Sequence, residues 1–122
     1  LEGVNLYNTV APGLYMDVAF AEGVGDATIG TLGFGIVFLD AEADGDLDIF
    51  VANGHALDDQ PNWRQPSQAF QNLRAEAAAA GEVTPRPLFT EVTNSAGPDL
   101  QAPMVSRGMA AADYDGDGAP DL

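Results

Sequence analysis

Cysteine is absent from this 122-residue chain, so no disulfide can hold its fold. Lysine is absent as well. Arg64, Arg74, Arg86 and Arg107 stand against 19 acids, for a formal net charge of −15. So little positive charge excludes partners that are themselves polyanions, nucleic acid and anionic membrane surfaces among them. No apolar run reaches the length of about 18 residues that spans a bilayer, so direct membrane insertion is not expected. There is one histidine, His55, and no serine or cysteine stands beside it in a nucleophile motif.

What the chain does have is acid, and the acid is organised. Asp40-Ala-Glu42-Ala-Asp44-Gly45-Asp46-Leu-Asp48 is followed, 73 residues later, by Asp113-Tyr-Asp115-Gly-Asp117-Gly118-Ala119-Pro-Asp121. Both stretches fit D-x-[DE]-x-D-G-x-x-D. Calcium takes about six to eight oxygen ligands at roughly 2.3–2.6 Å. Carboxylates at loop positions 1, 3 and 5 can converge on one point if the chain turns sharply, and glycine at position 6 permits the turn. Position 7 (Asp46 or Ala119) can add its carbonyl, and the Asp at position 9 closes the shell. The expected metal ligands are therefore Asp40, Glu42, Asp44, Asp46 and Asp48 in the first loop. In the second they are Asp113, Asp115, Asp117, Ala119 and Asp121. The alternative is a solvated acidic turn without a metal, in which closely spaced carboxylates would repel one another.

The flanks distinguish these loops from an EF-hand, which needs helices on both sides and a bidentate Glu at position 12. Position 12 of the first loop is Val51. Gly35–Leu39 before the loop and Ile49–Ala52 after it are short and rich in β-branched or aromatic residues, as strands are. The pattern predicts a strand–loop–strand calcium site.

The likeness between the two parts of the chain extends beyond the loops. Leu14–Gly23 lines up with Leu88–Gly97, Gly35 with Gly108, and Leu6-Tyr-Asn8 with Phe70-Gln-Asn72. The last pair is 64 residues apart instead of 74. The extra ten residues fall at about 73–87, where the alanine-rich run Arg74–Gly81 reads as one or two helical turns inserted into a loop. Strands are expected at Gly35–Leu39, Leu47–Ala52, about Ala69–Leu73 and Phe89–Thr93, with the next repeat starting at Gly108–Ala112. Four strands per period is the make-up of a propeller blade. Ile36-Val-Phe-Leu39 is apolar throughout and is expected to be buried on both faces. The start at Leu1 and the end at Leu122 read as a segment of a longer polypeptide, any targeting signal lying upstream.

Leu32-Gly-Phe-Gly35, Phe38-Leu-Asp40 and Asp44–His55 resemble the FG-GAP or VCBS repeat, the calcium-binding blade of integrin-α-like β-propellers. With Arg64-Gln-Pro66, Phe70-Gln-Asn72, Leu88–Val92 and Arg107-Gly108, the nearest likeness is to the cartilage acidic protein-like family, which often carries an ASPIC/UnbV domain. The resemblance covers nearly all of the chain outside the insertion. It implies an all-β fragment of about one and a half to two four-stranded blades. Residues 1–31 would end one blade, 32–107 would form a full repeat, and 108–122 would begin the next. It also implies structural calcium, one ion per loop, and about seven or eight blades in a closed propeller. The setting would be extracellular, cell-surface or periplasmic, and the partners neighbouring blades and a protein or glycan ligand. One departure is Glu42 at position 3, where the family has Asp or Asn; its extra methylene can displace the carboxylate or take the place of a water.

A non-enzymatic binding or adhesion scaffold is the reading these features favour. The alternative is the propeller module of a secreted polysaccharide-degrading enzyme whose catalytic residues lie outside these 122. His55 reads as a turn residue after Asn53-Gly54, Asp58-Asp59 as solvated, and Trp63 as packing over its Pro-rich loop. Arg64 and Arg107 are expected to pair with local acids. Asp17 and Glu91, at equivalent repeat positions, are expected to be structural.

Overall fold

The computed structural model describes residues 2–122. It is mostly β. Strands β1 (Tyr7–Ala11) and β2 (Leu14–Asp17) form an antiparallel hairpin. Strands β3 (Gly33–Leu39), β4 (Asp48–Asn53), β5 (Gln68–Asn72) and β6 (Phe89–Glu91) form a four-stranded antiparallel sheet in sequence order. Short helices α1 (Gly25–Thr28), α2 (Arg74–Ala79) and α3 (Pro98–Gln101) sit in the connections. Among the described residues no helix is long and apolar enough to cross a membrane.

All four strands of the larger sheet overlap the stretches where strands are expected, and α2 falls inside the alanine-rich run. Around Gly108–Ala112 the expected strand is reduced to one antiparallel bridge, Ala112 to Asp121. Among the described residues, 108–110 form no ladder with another strand.

Cross-strand pairing sorts the sheet into two faces. Ile36, Val51 and Gln68 share one face with Phe38, Ile49 and Phe70. Ile49, Val51 and Phe70 are buried there in a cluster with Val24 and Phe89, backed by Val4, Leu6, Ala27 and Leu88. Burying each large side chain contributes about 1.5–3 kcal/mol. The opposite face carries Gly35, Val37, Phe50, Ala52 and Ala69. Residues 105–109 run close to that face: a Cβ on Gly54 would meet Val105 and Ser106, and one on Gly35 would meet Met109.

Two expectations are corrected here. β3 is not buried on both faces, since Ile36 is 45 % and Phe38 54 % exposed. The segment that covers Ile49, Val51 and Phe70 does not extend over β3, which forms the edge of the sheet. Arg64 and Arg107 do not pair with acids. Arg107 donates to the carbonyls of Gly54 (3.3 Å) and His55 (2.9 Å) and lies 4.3 Å from the ring centre of Phe34. Arg64 stacks on Trp63 at 5.0 Å. Among the described residues the ion pair present is Arg86 to Glu22, at 2.8 Å.

The hairpin β1–β2 and the pair β5–β6 repeat one another with a shifted register. Tyr7 pairs with Asp17 and Phe70 with Glu91. With Asp17 matched to Glu91, Tyr7 therefore corresponds to Phe70, one residue off the sequence alignment. Every residue of β1 is exposed, so no buried face enforces the register that Phe70 enforces in β5. Asp17 and Glu91 brace equivalent corners by different means. The Asp17 carboxylate accepts the amides of Leu6 (3.2 Å) and Ala19 (3.0 Å) and the Asn5 side chain (2.5 Å). These bonds, that from Ala19 foremost, hold its pKa below the usual value. Glu91 accepts from the Thr93 hydroxyl (2.8 Å), whose oxygen in turn accepts the Ala69 amide (3.1 Å).

Candidate metal centre

The first acidic loop joins β3 to β4. It begins after Leu39 and closes at Asp48, which face each other as the last ladder pair of these strands. The second loop is closed in the same way by Ala112 and Asp121, whose amides and carbonyls bond at 3.1 and 2.8 Å.

Inside this frame the two loops share three hydrogen bonds. Asp40 at position 1 accepts the amide of Gly45 at 3.0 Å, and Asp113 accepts that of Gly118 at 3.0 Å. Asp44 at position 5 accepts the amide of Asp46 at 3.2 Å, and Asp117 that of Ala119 at 2.8 Å. Asp48 at position 9 accepts the amide of Ala41 at 3.0 Å, and Asp121 that of Tyr114 at 2.8 Å. A carboxylate so tied to the backbone loses rotamer freedom and keeps lone pairs to spare, so the turn pre-positions its own donors.

Position 6 has positive φ in both loops, 95° at Gly45 and 92° at Gly118. Position 4 has it too: 77° at Gly116, where glycine accepts it freely, and 55° at Ala43, where a Cβ makes it costly. The first loop is thus the more strained of the two.

The carboxylates do not gather identically. In the second loop Asp113, Asp115 and Asp117 each offer an oxygen, and these oxygens lie within 4.8 Å of one another. Asp121 lies at the closing bridge, and Ala119 donates its amide to Asp117. In the first loop the group within 4.8 Å is Glu42, Asp44 and Glu76. Asp40 lies outside that group; it accepts the amides of Asp44 (3.0 Å) and Gly45, while Asp113, which accepts those of Gly116 (2.7 Å) and Gly118, remains in its cluster. Asp48, 2 % exposed, holds the Asn72 amide (2.9 Å) as well as that of Ala41, tying the loop to β5. Asp46 is buried at 9 % exposure, with one oxygen on the Ala75 amide at 2.8 Å.

Glu76 is the residue that sequence reasoning missed. It sits in the first turn of α2, the inserted helix, and its only sequence signal is that it is the sole acid of the run Arg74–Ala80. One of its oxygens accepts from the Gln71 amide group and the other is buried without a partner. The second oxygen of Asp46 is likewise buried and unpartnered.

Such crowding costs the ionised forms. The Glu42 carboxyl is pushed up to about 6 by loss of solvation and by the charges of Asp48, Asp44 and Glu76. Burial raises Asp46, helped by Asp44, Asp48 and Glu76 and opposed by the Ala75 amide. All donors here are hard oxygens, two of them buried and unsatisfied, with no imidazole or thiolate among them. That donor set suits a hard cation such as calcium.

The remaining polar residues have local roles. His55 accepts the Leu57 amide on Nδ1 at 3.2 Å, as a turn residue does. Asp58 and Asp59 are exposed. A cleft of about 420 Å³ runs between the loops, bordered by Glu42 and Asp48 on one side and by Pro120 and Asp121 on the other, with Leu39 and Phe50 among its apolar lining. Comparison with protein-family models, with curated proteins and with solved structures gave no match.

Proposed function

We propose that this chain is a calcium-binding segment of a β-propeller of the FG-GAP/VCBS kind, close to the cartilage acidic protein-like family, and that it serves as a binding or adhesion scaffold and not as an enzyme. The observation that carries the reading is the doubled loop. Two acidic nonapeptides 73 residues apart in sequence share three equivalent hydrogen bonds, each is closed by a paired Leu39–Asp48 or Ala112–Asp121, and each contributes to a cluster of three carboxylates. The four-stranded meander β3-β4-β5-β6 is what one blade requires.

Calcium in such a site is structural. Bound there, it would relieve the repulsion among the carboxylates and turn its binding energy into folding energy. Extracellular or periplasmic calcium suits sites with dissociation constants of roughly 10⁻⁴–10⁻³ M, the range of extracellular modules. Loops at the rim of the sheet would contact a protein or glycan partner, since recognition concentrates on loops held by a rigid frame.

Isothermal titration tests the metal. Two calcium ions per chain are expected, with magnesium weaker because it requires a tight octahedron and sheds water reluctantly. Equal affinity for the two ions, or no calcium uptake at millimolar concentration, would remove the basis for the proposal.

A further inference from the structure

The inserted helix α2 lies against the first loop and is tied to it twice. The Asp46 carboxylate accepts the Ala75 amide at 2.8 Å, and the Glu76 carboxylate lies within 4.8 Å of those of Glu42 and Asp44. At the same junction two carboxylate oxygens are buried without any partner, Oδ1 of Asp46 and Oε2 of Glu76. Asp46 as a whole is more than nine-tenths buried. A buried anionic oxygen with no donor is costly, and a cation held by the cluster of Glu42, Asp44 and Glu76 would offset the charge at both Glu76 and its neighbour Asp46. Arginine does not fill that role, because the ion pair present among the described residues is elsewhere, at Glu22.

From these contacts we infer that Glu76 is a ligand of the first calcium site, so that the site is built jointly by the β3–β4 loop and the inserted helix. The inference rests on the calcium reading above and extends it to a residue outside the loop motif. Glu76 stands in the place that Asp113 fills in the second loop, as third member of the carboxylate cluster. Asp40, the residue equivalent to Asp113, lies outside the first cluster, although each of the two accepts a pair of loop amides, Asp40 from Asp44 and Gly45 and Asp113 from Gly116 and Gly118. The consequence is a latch. Calcium would fasten α2 to the loop, and with it the whole insertion at about 73–87, whereas the second loop would bind its ion without any such attachment.

The test isolates the first site. Asp115→Ala removes a cluster member from the exposed second loop, leaving one site to titrate with calcium chloride. In that background Glu76→Gln keeps an acceptor for Gln71 and loses the charge; Glu76→Ala loses both. Calcium affinity is expected to fall roughly tenfold or more in each, since affinity in oxygen-donor sites follows the count of charged ligands. Hydrogen exchange gives a second readout: calcium should slow exchange of the α2 amides in Asp115→Ala and not when Glu76 is also replaced. Unchanged affinity with unchanged α2 protection would overturn the role of Glu76 and leave the calcium reading intact. Absence of calcium binding by the unaltered chain would overturn that reading itself. Tyr114, inside the second loop, offers a control, because terbium luminescence sensitised by it should survive Glu76→Gln in a chain that retains Asp115.

Discussion

Gly35 and Gly108 hold the same place five residues ahead of an acidic loop, and the folded chain sets one against the other. A Cβ on Gly35 would stand 2.8 Å from the Cα and carbonyl carbon of Gly108 and 2.6 Å from the Met109 nitrogen. The equivalent segments of the two repeats thus approach backbone to backbone.

Gly35→Ala should therefore separate the two repeats. The added methyl meets backbone that cannot rotate away, and overpacking of this kind costs about 1–3 kcal/mol. Gly108→Ala has open space around its Cβ and should lie within about 0.5 kcal/mol of the parent. Urea unfolding of the calcium-loaded variants compares the two; equal midpoints would mean that residues 108–109 do not pack on β3.

Position 9 separates structural from metal-binding roles. Asp48 is buried and accepts amides from Ala41 and Asn72, so Asp48→Ala leaves two donors unsatisfied and should cost roughly 1–3 kcal/mol even in chelator. Asp121 is exposed and accepts only the Tyr114 amide, so Asp121→Ala should scarcely alter calcium-free stability while abolishing the second calcium site. Ala119→Ser, which retains the carbonyl, should bind calcium as the parent does. Titration and thermal melts with and without chelator measure both effects.

Glu42 sets a pH dependence whose sign changes with calcium. Its pKa in the folded chain is about 6 against an ordinary 4.5. A raised folded pKa means that the folded state holds the proton more tightly. The associated stability is fully present below 4.5 and is lost as pH rises through 6. Calcium-free protein should therefore gain stability from this group on acidification across that window, and Glu42→Gln should flatten the gain. With calcium the ordering inverts, because the ion needs the carboxylate and affinity should fall as pH drops below 6. Melts at several pH values, with and without calcium, check both signs.

Most of this was legible from residue order alone. β-Branched and aromatic runs bounded by turn residues located β3 to β6, and the doubled nonapeptide located both loops. Glu76 was not legible, because its role comes from how the inserted α2 folds back onto a loop about thirty residues upstream in sequence. Nor was the exposure of β3, whose apolar sequence registers what the strand is suited to contact, while Ile36 and Phe38 register what covers it here. The environment of Arg107 was missed for a similar reason: 19 acids make an ion pair the default, yet its guanidinium is taken up by Phe34 and the carbonyls of Gly54, His55 and Ser106.

The open face of β3 predicts association. β3 is the edge of its sheet, with Ile36 and Phe38 exposed, and β1 and β2 add exposed Tyr7, Leu14, Tyr15 and Met16. Edge strands with apolar side chains pair with other chains unless something covers them, and repeat units bury such faces only against neighbours. By itself this chain should form concentration-dependent oligomers in sedimentation velocity, despite the repulsion of a net charge of −15. Ile36→Lys with Phe38→Lys should shift it toward monomer, because charged residues on an edge resist pairing. Calcium should order the loops in either form without closing the face. A monomer at every concentration, unfolding cooperatively at moderate temperature, would show that the face needs no neighbour, and the propeller-segment proposal would lose its packing rationale.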